Sequence, residues 1–105
     1  MRSYILITDN SEKYIHDVLC SLLPLEDNEE LIIFDNHSLD NTVPIIIETM
    51  GILWIDKEQK YKFYINKNKE EKEIVKNKAL SIAKGNAIFI DKKAKFDIKE
   101  VINNA

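Results

Sequence analysis

Short apolar runs of strand length alternate with segments of helical periodicity along most of the chain. The strand-like runs are residues 3–8, 30–34, 61–65 and 86–90. Between them, apolar residues recur every three or four positions in segments 11–23, 40–51 and 70–84. Such alternation is typical of a mostly parallel sheet covered by helices on both faces, with right-handed crossovers. The sequence therefore predicts an α/β fold.

Local signals predict where the helices begin and end. Pro24 should end the first helix, because proline lacks the N–H that helical hydrogen bonding requires. Asp40 is a candidate N-cap for the second helix, and Gly51 is a fitting stop. Gly85 should close the third helix, and the acid pattern that starts at Asp97 predicts a short final helix. The secondary structure of the apolar residues 52–55 remains ambiguous. The polar composition of residues 56–60 predicts a turn.

Composition narrows the class of protein. The chain has 105 residues, which is the size of one domain that can bury a core without a disulfide or metal. Its 15 basic and 18 acidic residues give a net charge of −3, so no general basic field is present to hold a nucleic acid. No apolar run approaches the ~18 residues of a membrane span. Cys20 is the single cysteine, which favours a reducing, cytoplasmic location.

Polar residues follow several strands where they end: Thr8, Asp9 and Asn10 after the first, Asp35 and Asn36 after the second, and Asp91 after the last. In open parallel sheets, ligands bind beyond the carboxyl ends of the strands. Any one of these residues could simply cap a helix or form a turn. As a set they predict a ligand site at one edge of the sheet, but periodicity does not define the ligand.

Other reactive or aromatic side chains carry less weight. His16 and His37 have no second ligand at metal-binding spacing and are interpreted as surface residues. Cys20 has no activating motif and is interpreted as an inert thiol. Trp54 and the aromatic residues of 61–65 are expected to pack in the core or at an edge.

Three motifs resemble those of family 2 glycosyltransferases. Residues 33–42, IFDNHSLDNT, are similar to the family's acidic signature after the second strand. Residues 11–23 resemble its first helix, and residues 75–91 resemble its Arg-Asn helix and the strand that follows. KFD at 95–97 is similar to the stretch after that strand. The resemblance implies the nucleotide-binding half of a Rossmann-like GT-A fold, here as a single domain over residues 1–105.

The resemblance also implies roles at the edge of the sheet. Thr8, Asp9 and Asn10 would lie beside the base and ribose of a nucleotide sugar, such as a UDP-sugar. Asp35 would accept a hydrogen bond from the base or ribose, and Asn36 stands where many members have a second Asp. These five residues are the predicted nucleoside contacts.

Further contacts are implied near the diphosphate. Lys76 and Asn77 stand where the family has an Arg-Asn pair, and lysine keeps the charge but loses the bidentate geometry of arginine. The family usually has two or more acids where this chain reads Asp91, Lys92, Lys93. Those acids hold Mg²⁺ or Mn²⁺ against the diphosphate of the donor. Asp91 alone could serve here, because an ammonium group cannot ligate a cation.

Two interpretations of this departure stay open. The metal site is lost, or Lys92 and Lys93 supply positive charge to the diphosphate directly. No residue corresponds to the acceptor-binding part of the family or to its catalytic base. We therefore expect a donor-binding domain with weak or lost transfer activity. The alternative is a non-catalytic module that packs against a partner chain or a missing domain. The edge of the sheet could also pair with a second copy of the chain, because edge strands invite partners.

Overall fold

The computed structural model describes residues 1–22 and 25–90. The described elements are β1 (Arg2–Thr8), α1 (Ile15–Ser21), β2 (Glu29–Asp35), α2 (Thr42–Leu53), a 3₁₀ helix (Ile55–Lys60), β3 (Tyr61–Ile65), α3 (Lys72–Ile82) and β4 (Asn86–Phe89).

The strands form a parallel sheet in the order β3-β2-β1-β4. β1 lies in the interior of this sheet, where Ile5 pairs with Ile32 of β2 on one side and with Phe89 of β4 on the other. Each connection between parallel neighbours passes over the sheet and includes a helix. The predicted α/β architecture is confirmed.

Alternate residues of the central strands point to two hydrophobic cores. On one face, Tyr4 and Leu6 of β1 pack with Leu31 and Ile33 of β2 against α1 and α2. On the other face, β1 and β2 pack against α3 through a second set, Ile5, Ile32, Phe34, Val75 and Ala79. All seven residues of β2 are buried, which is the pattern of a strand covered on both faces. Helices therefore lie on both faces, as predicted.

The first and third helices are shorter than predicted, because the residues at their starts make other contacts. Residues 11–14 form a turn before α1, in which the backbone N–H of Ser11 donates to Thr42 Oγ1 at 2.7 Å. α3 begins at Lys72 rather than at residue 70, since the backbone N–H and C=O of Glu70 both pair with the side chain of Asn36.

The second helix differs from prediction at both ends. Its N-cap is Asn41, one residue after Asp40. Gly51 does not stop it, and the helix continues to Leu53, where the N–H of the buried Trp54 bonds to Met50 O at 3.1 Å. The first two residues of the ambiguous run 52–55 thus complete α2, and the predicted polar turn forms a 3₁₀ helix together with Ile55. Burial of Trp54 overrides the local preference of glycine for helix ends.

The last strand is one residue shorter than predicted, although Ile90 N still donates to Ile5 O at 2.9 Å. At the opposite edge of the sheet, Gly85 precedes β4 and lies against the backbone of Met1, so that a Cβ atom there would collide with the Met1 carbonyl group. The predicted diphosphate region (Asp91, Lys92 and Lys93) and the helix predicted from Asp97 lie outside the described residues. Over the described residues, no helix is long and apolar enough to cross a membrane.

Candidate functional site

Asp35, the last residue of β2, organises the carboxyl edge of the sheet. Its Oδ1 accepts hydrogen bonds from Thr8 Oγ1 and Ser38 Oγ, both at 2.6 Å, and its Oδ2 accepts one from Ser38 N at 2.8 Å. Asp35 and Thr8 are both fully buried. The carboxylate therefore ties the end of β1 to the loop after β2, and its predicted contact with a nucleotide stays a prediction.

Asn10 joins the same two loops from the solvent side. It has a φ of 50°, in the left-handed region that asparagine tolerates better than most residues. Its Oδ1 accepts hydrogen bonds from Leu39 N at 2.8 Å and from Asp40 N at 3.3 Å, and its N–H donates to Ser38 Oγ at 2.9 Å. The β1–α1 and β2–α2 loops are thus held together at their tips and at their base.

Asp40 and Thr42 extend this network to the start of α2. Thr42 donates to Asp40 Oδ1 from its hydroxyl at 2.5 Å and from its N–H at 2.9 Å, and Glu12 N donates to Asp40 Oδ2 at 3.3 Å. Burial alone would raise the pKa of Asp40, but these hydrogen bonds more than offset it and lower the pKa. Asp40 therefore stays ionised at neutral pH and holds the helix start in place.

Asn36 connects the edge to a third loop, the one between β3 and α3. Its Nδ2 donates to Glu70 O at 2.9 Å, and its Oδ1 accepts from Glu70 N at 3.0 Å and from Asn66 Nδ2 at 3.1 Å. Only 5% of Asn36 is exposed. Its amide group is therefore used within the protein, at the position where many family members are expected to have a second Asp.

An ion pair lies across the edge between Asp9 and Lys69. Lys69 Nζ donates to Asp9 Oδ1 at 2.7 Å and brings the β3–α3 loop to the end of β1. The sequence did not single out Lys69, because it lies in a run of mixed lysine and glutamate that is typical of a solvated surface. Ser38 and Asn66 were also missed, although Ser38 lies within the recognised acidic signature.

The described structure does not bring Lys76 and Asn77 to the Asp35 cluster. Lys76 Nζ lies 5.7 Å from the centre of the Phe89 ring. Phe89 pairs with Ile5, three residues before the end of β1, so this ring lies about 10 Å back from the edge. Asn77 is exposed, between the buried positions 75 and 79 of α3. Their contacts with a diphosphate stay predictions.

The described residues do not provide a divalent metal site. Nowhere in residues 1–22 and 25–90 do three or more His, Cys, Asp or Glu side chains form a group that could hold a metal ion. Both oxygens of Asp35 are engaged by hydroxyl and N–H donors. Asp91 lies outside the described part, and its two neighbours in the sequence, Ile90 and Lys92, cannot ligate a cation. The residues of the described ranges thus do not fit the expected Mg²⁺ or Mn²⁺.

Of the two histidines, only His37 differs from its interpretation as a surface residue. His16 is exposed, but its Nε2 lies 3.6 Å from Cys20 Sγ and its Nδ1 lies 3.3 Å from Thr49 Oγ1. Cys20 lies four residues after His16, and residues four apart share one face of a helix. His37 is half-buried, with its Nδ1 3.3 Å from Asn66 O. Neither contact completes a metal site.

Comparison with known proteins agrees with this architecture. The family profile of glycosyl transferase family 2 matches residues 3–90. The chain belongs to this family of transferases. No curated protein matches the sequence at a significant level.

Several solved structures share the fold. The structure of S. aureus TarS 1-349 in complex with UDP matches with a TM-score of 0.72 and 26% identity, over 97% of this chain and 31% of TarS. The complex of the same protein with UDP-GlcNAc matches with a TM-score of 0.70 and 27% identity, over 97% and 30% of the two chains. The mannosyltransferase PcManGT from Pyrobaculum calidifontis, in complex with GDP-Man and Mn²⁺, matches with a TM-score of 0.72 and 18% identity, over 98% and 30%.

These matches confirm that the chain has the architecture of a GT-A nucleotide-binding half. The chain spans about a third of the length of these transferases. The matching part of TarS is a region of a protein that was crystallised with UDP and with UDP-GlcNAc.

Proposed function

We propose that this chain binds the nucleoside diphosphate part of a nucleotide-sugar donor at the carboxyl edge of its sheet. The observation that carries the proposal is the network in which Asp35 fixes Thr8 and Ser38 while Asn10 joins the tips of the same loops. Such a network holds the edge of a parallel sheet in one conformation, and this edge is where ligands bind in folds of this kind. The likeness to TarS supports UDP as the first nucleotide to test.

The residues of the edge have two different tasks in this proposal. The fully buried Asp35 and Thr8 position the loops, since their polar groups are already paired. Asn10 is exposed and Asp9 is half-buried, so these side chains and the backbone around them are accessible to a base or ribose. Fixed polar groups lose little entropy when a ligand binds, which favours affinity.

We further propose that sugar transfer by this chain is weak or lost. The single acid at Asp91, followed by Lys92 and Lys93, does not make the group of two or more acids that the family resemblance leads us to expect. No step of the proposal therefore passes through a metal ion. The lysines could instead attract the diphosphate, because an ammonium group donates hydrogen bonds to phosphate oxygens.

A non-catalytic role remains the second candidate. Asp35 and Asn36 direct their polar groups into the protein, with hydrogen bonds to Thr8, Ser38, Asn66 and Glu70. Such internal pairing supports the stability of a scaffold without requiring a ligand. A scaffold of this kind would act through a partner chain, through a further domain or through a second copy of itself.

Calorimetric titration with UDP, with and without Mn²⁺, tests the proposal. We expect saturable binding that does not depend on Mn²⁺, because the described residues lack a divalent site. Binding only in the presence of Mn²⁺ would show that a metal site forms despite the lysines and would contradict the loss of transfer activity. Absence of binding to UDP, GDP and ADP would overturn donor binding and leave the scaffold role. Ser21→Ala, at a half-buried position at the end of α1, serves as a control for general changes in folding.

A further inference from the structure

We propose that the chain forms a two-fold dimer in which β3 pairs antiparallel with β3 of a second copy. The inference does not depend on nucleotide binding, because it uses the side of the sheet and not the carboxyl ends of its strands. It is carried by the backbone groups that β3 directs outward and by the side chains that such pairing brings together.

β3 has one side without a neighbouring strand in the described structure. It lies at one end of the sheet order, so β2 is its neighbour among the described strands. Asn66 N donates to Asp35 O at 2.9 Å, and every second residue before Asn66 therefore also directs its backbone groups toward β2. The remaining strand residues direct their N–H and C=O groups away from the sheet: Tyr61, Phe63 and Ile65. Within residues 1–22 and 25–90, no backbone hydrogen bond of a turn or loop engages these groups.

The side chains of β3 leave apolar surface uncovered at this edge. Ile65 is 51% exposed and Tyr64 is 40% exposed. On the face of α1 and α2, Tyr61 and Phe63 are partly buried against the larger core. On the opposite face, Tyr64 stacks on Phe34 with the ring centroids 5.8 Å apart. Both faces of β3 thus carry apolar side chains up to the edge of the sheet, where a further strand would cover them.

Antiparallel pairing with the two-fold axis at Phe63 uses the whole strand. Phe63 then exchanges both N–H···O bonds with Phe63 of the other copy, and Tyr61 exchanges both with Ile65 of the other copy. All the outward-facing backbone groups of the strand are thereby paired. The same pairs place aromatic side chains against aromatic or β-branched ones, which stabilises antiparallel strands. The edge is therefore complementary to itself.

Lys62 distinguishes this register from its neighbours. With the axis at Phe63, Lys62 lies opposite Tyr64 of the other copy, which suits a contact between the ammonium group and the ring. An axis at Lys62 would set two lysines directly opposite each other, and like charges in such pairs repel. An axis at Tyr64 would pair only the last three residues of the strand. Lys62 Nζ also lies 3.7 Å from Glu30 Oε1, so its charge is balanced in part within its own chain.

The size of the paired surface sets the strength of the dimer. β3 has five residues and spans about 17 Å. Stable protein interfaces bury about 1,200–2,000 Å², which is more than two such strands provide. We therefore expect a weak dimer with a dissociation constant on the order of 0.1 mM.

Sedimentation velocity between about 10 µM and about 1 mM tests the association, since this range brackets the expected dissociation constant. The wild type should shift from monomer to dimer. Ile65→Lys should weaken association at least about tenfold, because it sets a charge against Tyr61 of the other copy. Ile47→Lys is the matched control, since Ile47 is an isoleucine of α2 that is 59% exposed. It should dimerise as the wild type does, and urea midpoints show that both variants fold.

Disulfide trapping tests the register directly. In a Cys20→Ser background, one chain carries Lys62→Cys and a second chain carries Tyr64→Cys. Opposite residues of a non-hydrogen-bonded pair have Cα atoms about 4.5 Å apart, which is within the range of a disulfide. Oxidation of the mixture should therefore link the two different chains. Either chain alone should link to itself far less.

The other outcomes each overturn the inference. A wild type that stays monomeric at about 1 mM would exclude the dimer. Loss of association in Ile47→Lys, with Ile65→Lys unaffected, would place the interface on α2. Self-linking of the Tyr64→Cys chain in preference to the mixed pair would move the axis away from Phe63 and contradict the register. The trapping experiment decides the matter even where Ile65→Lys fails to fold.

Discussion

The side-chain amide of Asn36 pairs with the backbone of Glu70 through two hydrogen bonds of opposite direction. Nδ2 donates to Glu70 O at 2.9 Å, and Oδ1 accepts from Glu70 N at 3.0 Å. Only an amide side chain offers one donor and one acceptor side by side in this geometry. A carboxylate at position 36 would set a negative oxygen against the Glu70 carbonyl. The asparagine is thus matched to this loop.

The first prediction follows from this match. Asn36→Asp should lower the free energy of unfolding by about 1–3 kcal/mol, because it removes a buried donor and leaves Glu70 O without a partner. Urea denaturation followed by Trp54 fluorescence measures the change, since the single tryptophan is fully buried. Asn68→Asp, in an exposed position of the same loop, should change stability by less than about 0.5 kcal/mol. Equal stability of the two variants would contradict the role of the pairing.

A second prediction concerns the carboxylate of Asp35. Asp35→Ala removes the acceptor for three hydrogen bonds and leaves Ser38 N without a partner, so stability should fall by about 1.5–3 kcal/mol. Thr8→Val removes one hydroxyl and should cost only about 1 kcal/mol. Thermal unfolding of both variants gives the comparison. A larger loss for Thr8→Val would show that the carboxylate does not organise the edge.

The two glycines provide a matched pair for a third prediction. Gly85→Ala places a Cβ atom against the Met1 carbonyl and should destabilise the protein by about 1–3 kcal/mol, the range for overpacked sites. Gly51→Ala meets no atom within 4 Å and lies inside α2, so it should stabilise by up to about 1 kcal/mol. Chemical denaturation should therefore show shifts of opposite sign. Shifts of the same sign would contradict the close approach at Gly85.

Glu30 supports a prediction about acid stability. Burial alone would raise the pKa of Glu30, but hydrogen bonds from Ser3 and from Lys84 N, with the charge of Lys62 nearby, more than offset it and lower the pKa. A carboxylate with a depressed folded-state pKa stabilises the protein above the unfolded-state value of about 4.3. That contribution is lost as the pH falls through the lower folded-state pKa.

The measurement is the urea midpoint of wild type and Glu30→Gln between pH 7 and pH 3. Below pH 5 the wild type should lose stability more steeply than the variant. In the wild type, unfolding in acid is accompanied by proton uptake at Glu30, because the pKa of this carboxyl is higher in the unfolded state, and the variant has no such group. Glu12→Gln, at an exposed position, should follow the wild type. A wild-type curve parallel to that of Glu30→Gln would remove Glu30 as a source of the acid sensitivity.

The sheet could be predicted from sequence because its signal is local. Each central strand contains a continuous apolar run, residues 4–7 in β1 and residues 31–34 in β2, so burial on both faces follows directly. The sequence also predicts that Thr8 and Asp35 lie at one edge, because parallel strands bring their carboxyl ends to the same side of a sheet. The structure joins the two residues by a hydrogen bond.

Contacts that depend on distant loops could not be predicted in this way. Lys69 meets Asp9 across 60 residues of sequence, and nothing in a lysine-rich run marks which lysine will do so. The end of α2 was misplaced because Gly51 is a good local stop, whereas burial of Trp54 keeps the chain helical for two further residues. Tertiary packing outweighs local preference in such cases.

The interior position of β1 has a consequence for how the protein folds. Of the described strands, β1 leaves the ribosome first, yet one of its neighbours, β4, lies 84 residues later, with Arg2 paired to Asn86. Contacts of such sequence separation form late and slow the folding of small domains. Until residues 86–89 emerge, one side of β1 exposes unpaired backbone groups that invite pairing with other chains. Emergence of residues 86–89, rather than synthesis of the first two strands, is therefore the step at which this sheet is completed.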